Sequence, residues 1–322
     1  MAGSVNQGDA FGLRDAEAKD LAALQELALD TLRWDIDDAG ELVDLLWPRV
    51  DTEFALVRTV NEVNEKIVGM AFGSLGPVPR DPATARRGHI NLLAVDATAR
   101  RQGHATALVE ELERRLRAVG AVDVLIGGAT PHFAWPGIDV RYTAATCFAE
   151  ARGYVPAREA VNMTVELDRA AANGRLATEA DEKRLAEHGI TVRRLTESDR
   201  ARIAPWLDTW GGTWREETLS TLHHPDTAGS YIAVLRDGES DAEYVGFAAY
   251  GVSRRDWFGP MGTGGELRKL GIGGVLLRRC LADLRGKGYR AAQIGWTGPI
   301  AFYARTVDAY VERVFRMYRK DR

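Results

Sequence analysis

The stretch LLAVDATARRQGHATALV, residues 92–109, decides the fold of this protein. It begins as an apolar run, turns at residues 100–105 and continues into a segment whose apolar residues recur at helical spacing. A second stretch, MGTGGELRKLGIGGVLL at residues 261–277, repeats the same order of apolar run, glycine turn and amphipathic segment. The sequence therefore predicts a mixed α/β fold in which a strand, a tight turn and a helix occur twice.

The two stretches belong to a repeat that extends through both halves of the 322 residues. Each half is expected to contain a strand, a helix, a hairpin, a strand, a helix, a strand, a helix and a final strand. The offset between corresponding residues falls along the chain, which indicates longer loops in the first half, at residues 76–89 and 129–143. The corresponding pairs are Arg14 with Arg193, Gly69 with Gly246, Gly103 with Gly271, Ile126 with Ile294 and Phe148 with Phe302.

Chain length and the repeat together predict two domains. We place the first domain at residues 1–168 and the second at residues 190–322. Residues 169–189 are rich in Ala, Glu, Lys and Arg, which favours a helical connector.

The composition excludes several classes of function. The formal net charge of −4 provides no broad positive field for nucleic acid, so we expect no nucleic-acid partner. No uncharged apolar run approaches the roughly 20 residues that cross a bilayer, and residues 1–20 lack the apolar core of a secretory signal. Cys147 and Cys280 show no metal-ligand spacing and fit a reducing compartment. We therefore expect a cytoplasmic protein, with neither a membrane nor a metal.

The two glycine turns predict an anion site. Small residues just before a helix leave its first amide hydrogens uncovered, and these amides with the helix dipole can bind a pyrophosphate. The alternative is a helix that begins with glycine for close packing. Neither the third glycine of a Rossmann turn nor the Gly-Lys-Ser or Gly-Lys-Thr of a Walker loop is present. The shared pattern is R-x-x-G-x-[AG], formed by Arg100, Gly103 and Ala105 and by Arg268, Gly271 and Gly273.

Both stretches resemble the GNAT superfamily of acyl-CoA-dependent N-acyltransferases, whose signature is an apolar strand, [QR]-x-x-G-x-[GA] and an amphipathic helix. The resemblance implies tandem GNAT folds and acetyl-CoA as co-substrate, with its pyrophosphate on the turn amides. A splayed fourth strand would hydrogen-bond the pantetheine arm and polarise the thioester. The implied cofactor-binding residues are Met261, Thr263, Arg268, Lys269, Leu270, Gly271, Ile272 and Gly273, and Leu93, Val95, Arg100, Arg101, Gln102, Gly103, His104 and Ala105.

His104 has two interpretations, a phosphate contact or a solvent-facing side chain at the start of a helix, and we favour the second. For the proton donor, the resemblance implies a tyrosine at the start of the fourth helix, which in GPIAFYARTVDAY is Tyr303. The alternative is a tyrosine whose ring packs between helix and sheet. The first half has Ala149 at this position, so it either binds a nucleotide without turnover or uses another donor, such as Tyr142.

The general base is less defined by the sequence. Asp256 is a candidate that would deprotonate an ammonium through water, but a carboxylate after Arg254 and Arg255 is also typical of an ion pair. Glu266, just before the glycine turn, is a poorer candidate.

Three tryptophans recur every four residues, although Gly211 and Gly212 must end their helix early. They are interpreted either as core or as a wall of the acceptor site. The three are Trp206, Trp210 and Trp214.

The expected function is acetyl-CoA-dependent N-acetylation of a primary amine on a small molecule, such as an amino sugar, by direct transfer in the second domain. A monomer or homodimer is expected. The alternatives are a protein lysine or N-terminal acetyltransferase and a non-catalytic acyl-CoA sensor.

Overall fold

The computed structural model describes residues 11–60, 65–78, 85–128, 133–239, 242–265 and 267–321. Helices and strands alternate along these residues, which confirms the mixed α/β class. The chain divides into two compact units. Unit 1 comprises Met1–Glu159 and Phe315–Arg322, and unit 2 comprises Ala160–Val314.

The first half of the chain forms seven strands and four α-helices among its described residues. In chain order they are β1 (Phe11–Asp15), α1 (Leu21–Thr31), α2 (Ala39–Leu46), β2 (Glu53–Val60), β3 (Lys66–Leu75), β4 (Gly88–Val95), α3 (His104–Ala118), β5 (Val124–Ile126), β6 (Ile138–Asp139), α4 (Thr143–Ala151) and β7 (Val155–Glu166).

The second half repeats this order after two connector helices. Its elements are α5 (Leu167–Ala172), α6 (Glu179–Glu187), β8 (Ile190–Arg194), α7 (Arg200–Asp208), α8 (Trp214–Ser220), β9 (Gly229–Leu235), β10 (Glu243–Tyr250), β11 (Trp257–Thr263), α9 (Ile272–Gly286), β12 (Ala291–Ile294), α10 (Ile300–Val307) and β13 (Tyr310–Lys320).

The strand order is the same in the two units. It is β1-β2-β3-β4-β5-β13 in unit 1 and β8-β9-β10-β11-β12-β7 in unit 2. In each unit the fourth and fifth strands run parallel, β4 with β5 and β11 with β12. The sixth strand pairs antiparallel with the fifth, so each unit completes its sheet with a strand from the other half of the chain.

Because of this exchange of strands, the residue limits of the two units differ from the domain boundaries that the sequence suggested. Met163 on β7 lies opposite Ile294 within unit 2, and Tyr318 on β13 lies opposite Ile126 within unit 1. Both exchanged segments bury apolar side chains, since Met163 is 1% and Tyr318 0% exposed. Hydrophobic pattern identifies such strands but does not specify which sheet they join.

Each long helix packs closely on the hairpin of its unit through a glycine. A Cβ atom on Gly69 would lie 3.0 Å from Leu108 Cδ1, and one on Gly246 would lie 3.0 Å from Leu276 Cδ1. A larger residue at either position would push the helix away from the sheet. The two glycines therefore hold α3 and α9 at equivalent places over the sheets.

The start of each half is fixed by an equivalent ion pair. Arg14 Nη1 donates to Asp20 Oδ2 at 2.6 Å, and Arg193 Nη1 donates to Asp199 Oδ2 at 2.8 Å. Each carboxylate also accepts a backbone N–H three residues earlier, which caps the helical turn that follows. These contacts agree with the pairing of Arg14 with Arg193.

Candidate active site

The two glycine turns adopt the same unusual backbone conformation. Gly103 has φ +87° and Gly271 has φ +86°, and each is the residue that caps the following helix. A residue with a Cβ is strained in this left-handed region, so glycine is required for the turn itself. The first amides of α3 and α9 have no partner within their helices. Both turns therefore present hydrogen-bond donors suited to an anion.

In unit 2, three of the predicted cofactor residues come together at the mouth of α9. A Cβ atom on Gly273 would lie 3.3 Å from Thr263 Oγ1, 3.9 Å from Met261 Cε and 3.7 Å from the ring of Phe302 on α10. A side chain at residue 273 would fill this space. The notch between the end of β11, the first turn of α9 and α10 fits the narrow chain of a diphosphate and pantetheine.

The other predicted residues of this turn differ in exposure. Lys269 is exposed, Leu270 is half-buried and Ile272 is fully buried beneath the turn, so Ile272 can reach a ligand through its amide alone. Glu266 and the side chain of Arg268 lie outside the part of the chain that the structure describes.

The parallel strands of unit 2 separate at their carboxyl ends. The last pair of β11 and β12 is Phe258 with Ile294, after which Thr297 N–H donates to Val161 O on β7 at 2.8 Å. Residues 261–263 are thus paired with β10 on one edge and separate from β12 on the other. This opening is where the resemblance implied a splayed fourth strand.

Unit 1 has the same separation between β4 and β5. Ile90 with Ile126 is their last pair, and Leu93 and Val95 lie beyond it while still paired with β3. In its glycine turn, Arg100, Arg101 and Gln102 are exposed and Ala105 is half-buried. Side chains here also bind the turn's own backbone, since Arg100 Nε donates to Val95 O at 3.1 Å and Gln102 Nε2 to Thr98 O at 3.3 Å.

The expectation that His104 faces solvent is wrong. Its side chain is 1% exposed and lies beneath the first turn of α3. Burial, with a smaller contribution from the charge of Arg58, lowers the pKa of the imidazole. Position 104 points inward because it corresponds to Ile272, which also packs under its turn.

A connector residue that the sequence did not single out lies over the turn of unit 2. Arg184 Nη2 on α6 would be 3.2 Å from a Cβ atom on Gly271, and it also pairs with Asp181 Oδ1 at 2.6 Å. Arg278 on α9 pairs with the same carboxylate and donates to Gly274 O. A guanidinium therefore lies beside the turn at which the sequence predicts an anion site. Sequence reasoning missed it because residues 169–189 were interpreted as a connector.

Tyr303 lies on α10 with its ring in the core of unit 2. It is 7% exposed and packs edge-on against Phe258 at 6.3 Å and Phe302 at 5.0 Å between ring centres. Burial raises the pKa of the hydroxyl to about 12. No described residue hydrogen-bonds this hydroxyl. Its raised pKa keeps it protonated at neutral pH.

Unit 1 differs at the equivalent position. Ala149 is fully buried on α4, and Tyr142, the residue before that helix, has its hydroxyl engaged elsewhere. Tyr142 Oη donates to Asp35 Oδ2 at 3.0 Å and accepts from Trp34 N–H at 3.1 Å. Trp135 Nε1 donates to the other oxygen of Asp35 at 3.1 Å. The long insertion thus packs onto the segment between α1 and α2.

Asp256 lies just before β11, on the closed side of the strand separation. Its backbone oxygen accepts from Gln293 N–H at 3.1 Å, next to the parallel pair of Trp257 with Gln293. The cofactor residues of β11 lie at the opposite end of that strand. The role of Asp256 as general base stays a prediction.

The three tryptophans form one cluster on the face of β11 away from α9. Trp210 packs edge-on against Trp206 at 5.5 Å and stacks on Trp214 at 6.1 Å, and all three ring centres lie within 5.8 Å of the Phe247 ring centre. A Cβ atom on Gly262 would lie 2.8 Å from the Trp210 ring. The cluster packs against the sheet and keeps part of each indole exposed. As predicted, α7 ends before Gly211.

A second carboxylate, Glu217, lies beside this cluster. It is three residues after Trp214 on α8, which puts both side chains on one helix face. Thr213 Oγ1 donates to Glu217 Oε1. Burial raises the pKa of Glu217 to about 7, and the neighbouring charge of Glu216 adds to this. Glu217 is a residue that sequence reasoning missed, and the one signal that could have found it is its spacing of three from Trp214.

Two further features of the described residues bear on the class of protein. No described helix is both long enough and apolar enough to cross a membrane. Nor do the described residues contain a group of three His, Cys, Asp or Glu side chains placed to hold a metal ion.

Comparison with known proteins agrees with the resemblance. Residues 21–131 match the family model of the acetyltransferase (GNAT) family. No curated protein sequence matches the chain. Solved structures share their fold with nearly the whole length of this chain. Their sequence identities to it are low, so the likeness shows the fold alone.

One similar structure is a GCN5-related N-acetyltransferase from Sphaerobacter thermophilus, with 19% identity, a TM-score of 0.66 and coverage of 98% of this chain and 97% of that one. Another is a tandem GNAT protein from the clavulanic acid biosynthesis pathway, with 14% identity, a TM-score of 0.68 and coverage of 97% and 98%. A third is a GCN5-related glucosamine N-acetyltransferase region in a fungal multi-domain GH3 β-N-acetylglucosaminidase, with 17% identity and a TM-score of 0.75. The match covers 96% of this chain and 38% of that longer one. These findings confirm the resemblance to the GNAT superfamily, through the family match over residues 21–131 and through the tandem GNAT fold of the whole chain.

Proposed function

We propose that unit 2 transfers the acetyl group of acetyl-CoA directly to a primary amine of a small molecule, such as an amino sugar. The observation that carries this proposal is the close approach of Gly273 to Thr263 and Phe302 beside the separation of β11 from β12, with the ring of Tyr303 packed against Phe302. The amides of a helix start, a narrow notch and a protonated tyrosine thus lie in neighbouring parts of unit 2. Each of these groups can contribute to acyl transfer from a thioester, through phosphate binding, carbonyl polarisation and protonation of the leaving sulfur.

Binding of acetyl-CoA would use the turn before α9. The amides of residues 271–273 would hydrogen-bond the diphosphate, and Arg184 would add a charged contact above the turn. The pantetheine arm would follow the open edge of β11 past Met261 toward Phe258. The same edge offers main-chain donors to the thioester carbonyl.

The reaction needs a free amine and a proton for the departing sulfur. The amine nitrogen attacks the carbonyl carbon, the carbon–sulfur bond breaks, and Tyr303 donates its proton to the thiolate of CoA. Because burial raises the pKa of Tyr303 to about 12, the hydroxyl is fully protonated before transfer. The nitrogen, which becomes positively charged on attack, releases one proton to water, and water returns one proton to Tyr303 after the thiol leaves.

For unit 1 we propose a binding role without turnover. Its glycine turn and strand separation are those of unit 2, but Ala149 cannot donate a proton and the Tyr142 hydroxyl is bound to Asp35. We also propose that the protein is cytoplasmic and is a monomer or a homodimer. The GNAT region that acts on glucosamine in the fungal neighbour supports an amino sugar as the first acceptor to test.

The test is a thiol-release assay with acetyl-CoA and three amines: glucosamine, a peptide with one free lysine, and a peptide with a free N-terminus. Faster release with glucosamine supports the proposal, whereas faster release with either peptide identifies a protein acetyltransferase. Native mass spectrometry then counts the CoA molecules bound per chain. Binding without turnover of any amine would indicate an acyl-CoA sensor, and the absence of acetyl-CoA binding by calorimetry would refute the enzymatic function.

A further inference from the structure

We propose that Glu217, with the indoles of Trp210 and Trp214, binds the ammonium group of the acceptor in unit 2 and removes its proton before transfer. This inference rests on the proposed function, because it gives the acceptor of that reaction its place and its general base. It also predicts acceptor binding that can be measured without turnover.

The position of Glu217 relative to β11 favours this role. A chain of contacts runs from the strand to the carboxylate: Gly262 lies under Trp210, Trp210 stacks on Trp214, and Trp214 shares a helix face with Glu217. The opposite face of β11 carries the notch for the cofactor, formed with Gly273. An amine held by the cluster would thus approach the open strand from the face that the cofactor leaves free.

The charge of Glu217 is also uncompensated. Thr213 binds one oxygen of Glu217, and no described basic side chain forms an ion pair with this carboxylate. Other carboxylates of unit 2 that are at least half-buried, such as Asp181 and Asp199, have arginine partners. A half-buried carboxylate without a cation is costly for the protein, and a cationic ligand would remove that cost.

The aromatic surface around Glu217 suits a cation as well. Trp210 and Trp214 are half-buried, so part of each side chain is accessible, and Trp214 lies three residues before Glu217 on α8. Indole faces attract ammonium groups at distances up to about 6 Å. A carboxylate next to stacked indoles therefore selects a primary amine that is charged in water.

Proton transfer through Glu217 balances the reaction. The ammonium transfers one proton to the Glu217 carboxylate, which later releases it to solvent. The free amine then attacks the thioester, Tyr303 protonates the leaving sulfur, and the nitrogen, now positively charged, loses its second proton to water, from which Tyr303 regains one. A base works best when its pKa is close to the working pH, and the pKa of Glu217 is raised to about 7.

The charged and polar groups around Glu217 are those on α8 and on the elements packed against it, which are α7, the turn Thr221–His223, β10 and β11. The turn carries His223, β10 carries Glu243, Tyr244 and Tyr250, and β11 carries no charged side chain. Glu216 on the same helix is the charged neighbour that acts on Glu217, and the Thr213 hydroxyl opposes the shift of its pKa. The helix α7 packs against α8. The charged side chains on α7 are Arg200, Arg202 and Asp208, and Asp208 pairs with Arg215 on α8.

The experiment compares Glu217→Gln with Glu216→Gln, a matched change at the next residue, with glucosamine and the lysine peptide as probes. We expect Glu217→Gln to lower kcat/KM for the amine about a hundredfold and to leave KM for acetyl-CoA within about twofold. At about pH 8.5, where Glu217 is ionised with or without the charge of Glu216 beside it, Glu216→Gln should stay within about twofold of the wild type. Calorimetry with glucosamine and the CoA-bound protein should show binding at least about tenfold weaker in Glu217→Gln than in Glu216→Gln.

The pH profile distinguishes a base from a structural side chain. Wild-type kcat/KM should fall below about pH 7, because protonated Glu217 cannot accept a proton. Thr213→Val removes a bond that lowers the pKa of Glu217, so the fall should move to higher pH. This variant keeps the carboxylate and also covers the case in which Glu217→Gln fails to fold.

The outcomes separate the two proposals. Equal kinetics and binding for Glu217→Gln and Glu216→Gln, in a protein whose turnover depends on Tyr303, would overturn the role of Glu217 and keep the enzymatic function. An unmoved pH profile in Thr213→Val would also overturn it. If neither probe reacts or binds while acetyl-CoA does bind, the claim for Glu217 is refuted together with amine acetylation.

Discussion

Units 1 and 2 have the same arrangement of strands and helices but different side chains at the places proposed for chemistry. Gly103 and Gly271 make the same turn, and Gly69 and Gly246 bring the same helix onto the same strand. At the position that we propose for the proton donor, however, unit 2 has Tyr303 and unit 1 has the buried Ala149.

The surroundings of the two openings differ as well. In unit 1, Trp135 and Tyr142 from the long insertion bind Asp35 between α1 and α2. In unit 2, the corresponding segment of α7 and α8 carries half-buried indoles and Glu217. The glycines that the backbone of the fold needs are thus present in both units, whereas the residues that we propose for the amine and the proton are present in unit 2 alone among the described residues.

The largest expected effect tests whether unit 2 is the catalytic one. Tyr303→Phe keeps the ring against Phe258 and removes the hydroxyl, so we expect kcat to fall about a hundredfold, or about 2.7 kcal/mol of activation free energy. KM for acetyl-CoA should change little. Steady-state kinetics in the thiol-release assay measure both.

The matched control is Tyr142→Phe in unit 1, which should leave kcat within about twofold. Because the pKa of Tyr303 is raised to about 12, the wild-type rate should show no decline from its ionisation between pH 7 and about pH 10. Full activity in Tyr303→Phe would show that Tyr303 is not the proton donor. Unit 1 would then become the candidate for the catalytic unit.

The second prediction concerns the exchanged strand of unit 1. Lys320 on β13 donates to both oxygens of Glu113, at 3.0 and 3.1 Å, and Glu113 is 4% exposed. Lys320→Met leaves a buried carboxylate with Tyr154 and Arg117 as its remaining partners. We expect the free energy of unfolding to fall by about 2 kcal/mol, measured by calorimetry.

The pH dependence of this loss has a defined sign. The pKa of Glu113 is lowered in the folded protein: burial opposes the shift, and hydrogen bonds from Tyr154 and Lys320 outweigh it. Its contribution is therefore present above the ordinary pKa of glutamate and is lost as the pH falls through the lowered value. The difference in free energy of unfolding between the wild type and Lys320→Met should therefore narrow in acid.

The matched control is Arg316→Met, which breaks an exposed ion pair with Glu159 and should lower the free energy of unfolding by less than about 0.5 kcal/mol. Equal losses in the two variants would mean that the strand is not anchored through Glu113.

The features of the fold that the sequence predicted are those that short-range patterns determine. The repeat, the glycine turns and the order of elements follow from spacing and from the backbone conformation of Gly103 and Gly271. The exchange of β7 and β13 did not follow, because a strand's hydrophobic pattern is the same whichever sheet it joins. The burial of His104 was also missed, since a helix start was assumed to face solvent.

The candidate site was predictable in part for a similar reason. Motif residues such as Thr263 and Gly273 lie near each other in the chain, so one turn brings them together. Arg184 lies over the turn from α6, and Glu217, which we propose for the acceptor, lies on α8. Neither helix carries a motif, so only the packing of the helices draws attention to these two side chains.

The third prediction tests the two cofactor turns against each other. Gly273→Val would place methyl groups in the notch beside Thr263 and Phe302, so we expect acetyl-CoA to bind unit 2 about tenfold more weakly, or about 1.4 kcal/mol. Ala105→Val is the equivalent change in unit 1 and should leave turnover unaltered. Calorimetry resolves the two sites if both bind. Loss of turnover in Ala105→Val, with normal kinetics in Gly273→Val, would reverse the roles of the units.

The smallest effect should come from the connector. Arg184 is half-exposed above the turn of unit 2 and shares Asp181 with Arg278, so its charge is partly compensated before any phosphate arrives. We therefore expect Arg184→Ala to raise KM for acetyl-CoA about fourfold, or about 0.8 kcal/mol, and to leave kcat unchanged. Added salt should reduce the difference, because an exposed charge is screened. Lys183→Ala removes an exposed charge from the same helix and should have no effect. An equal rise in KM for both variants would show that the helix contributes general charge and that the contact over Gly271 is not specific.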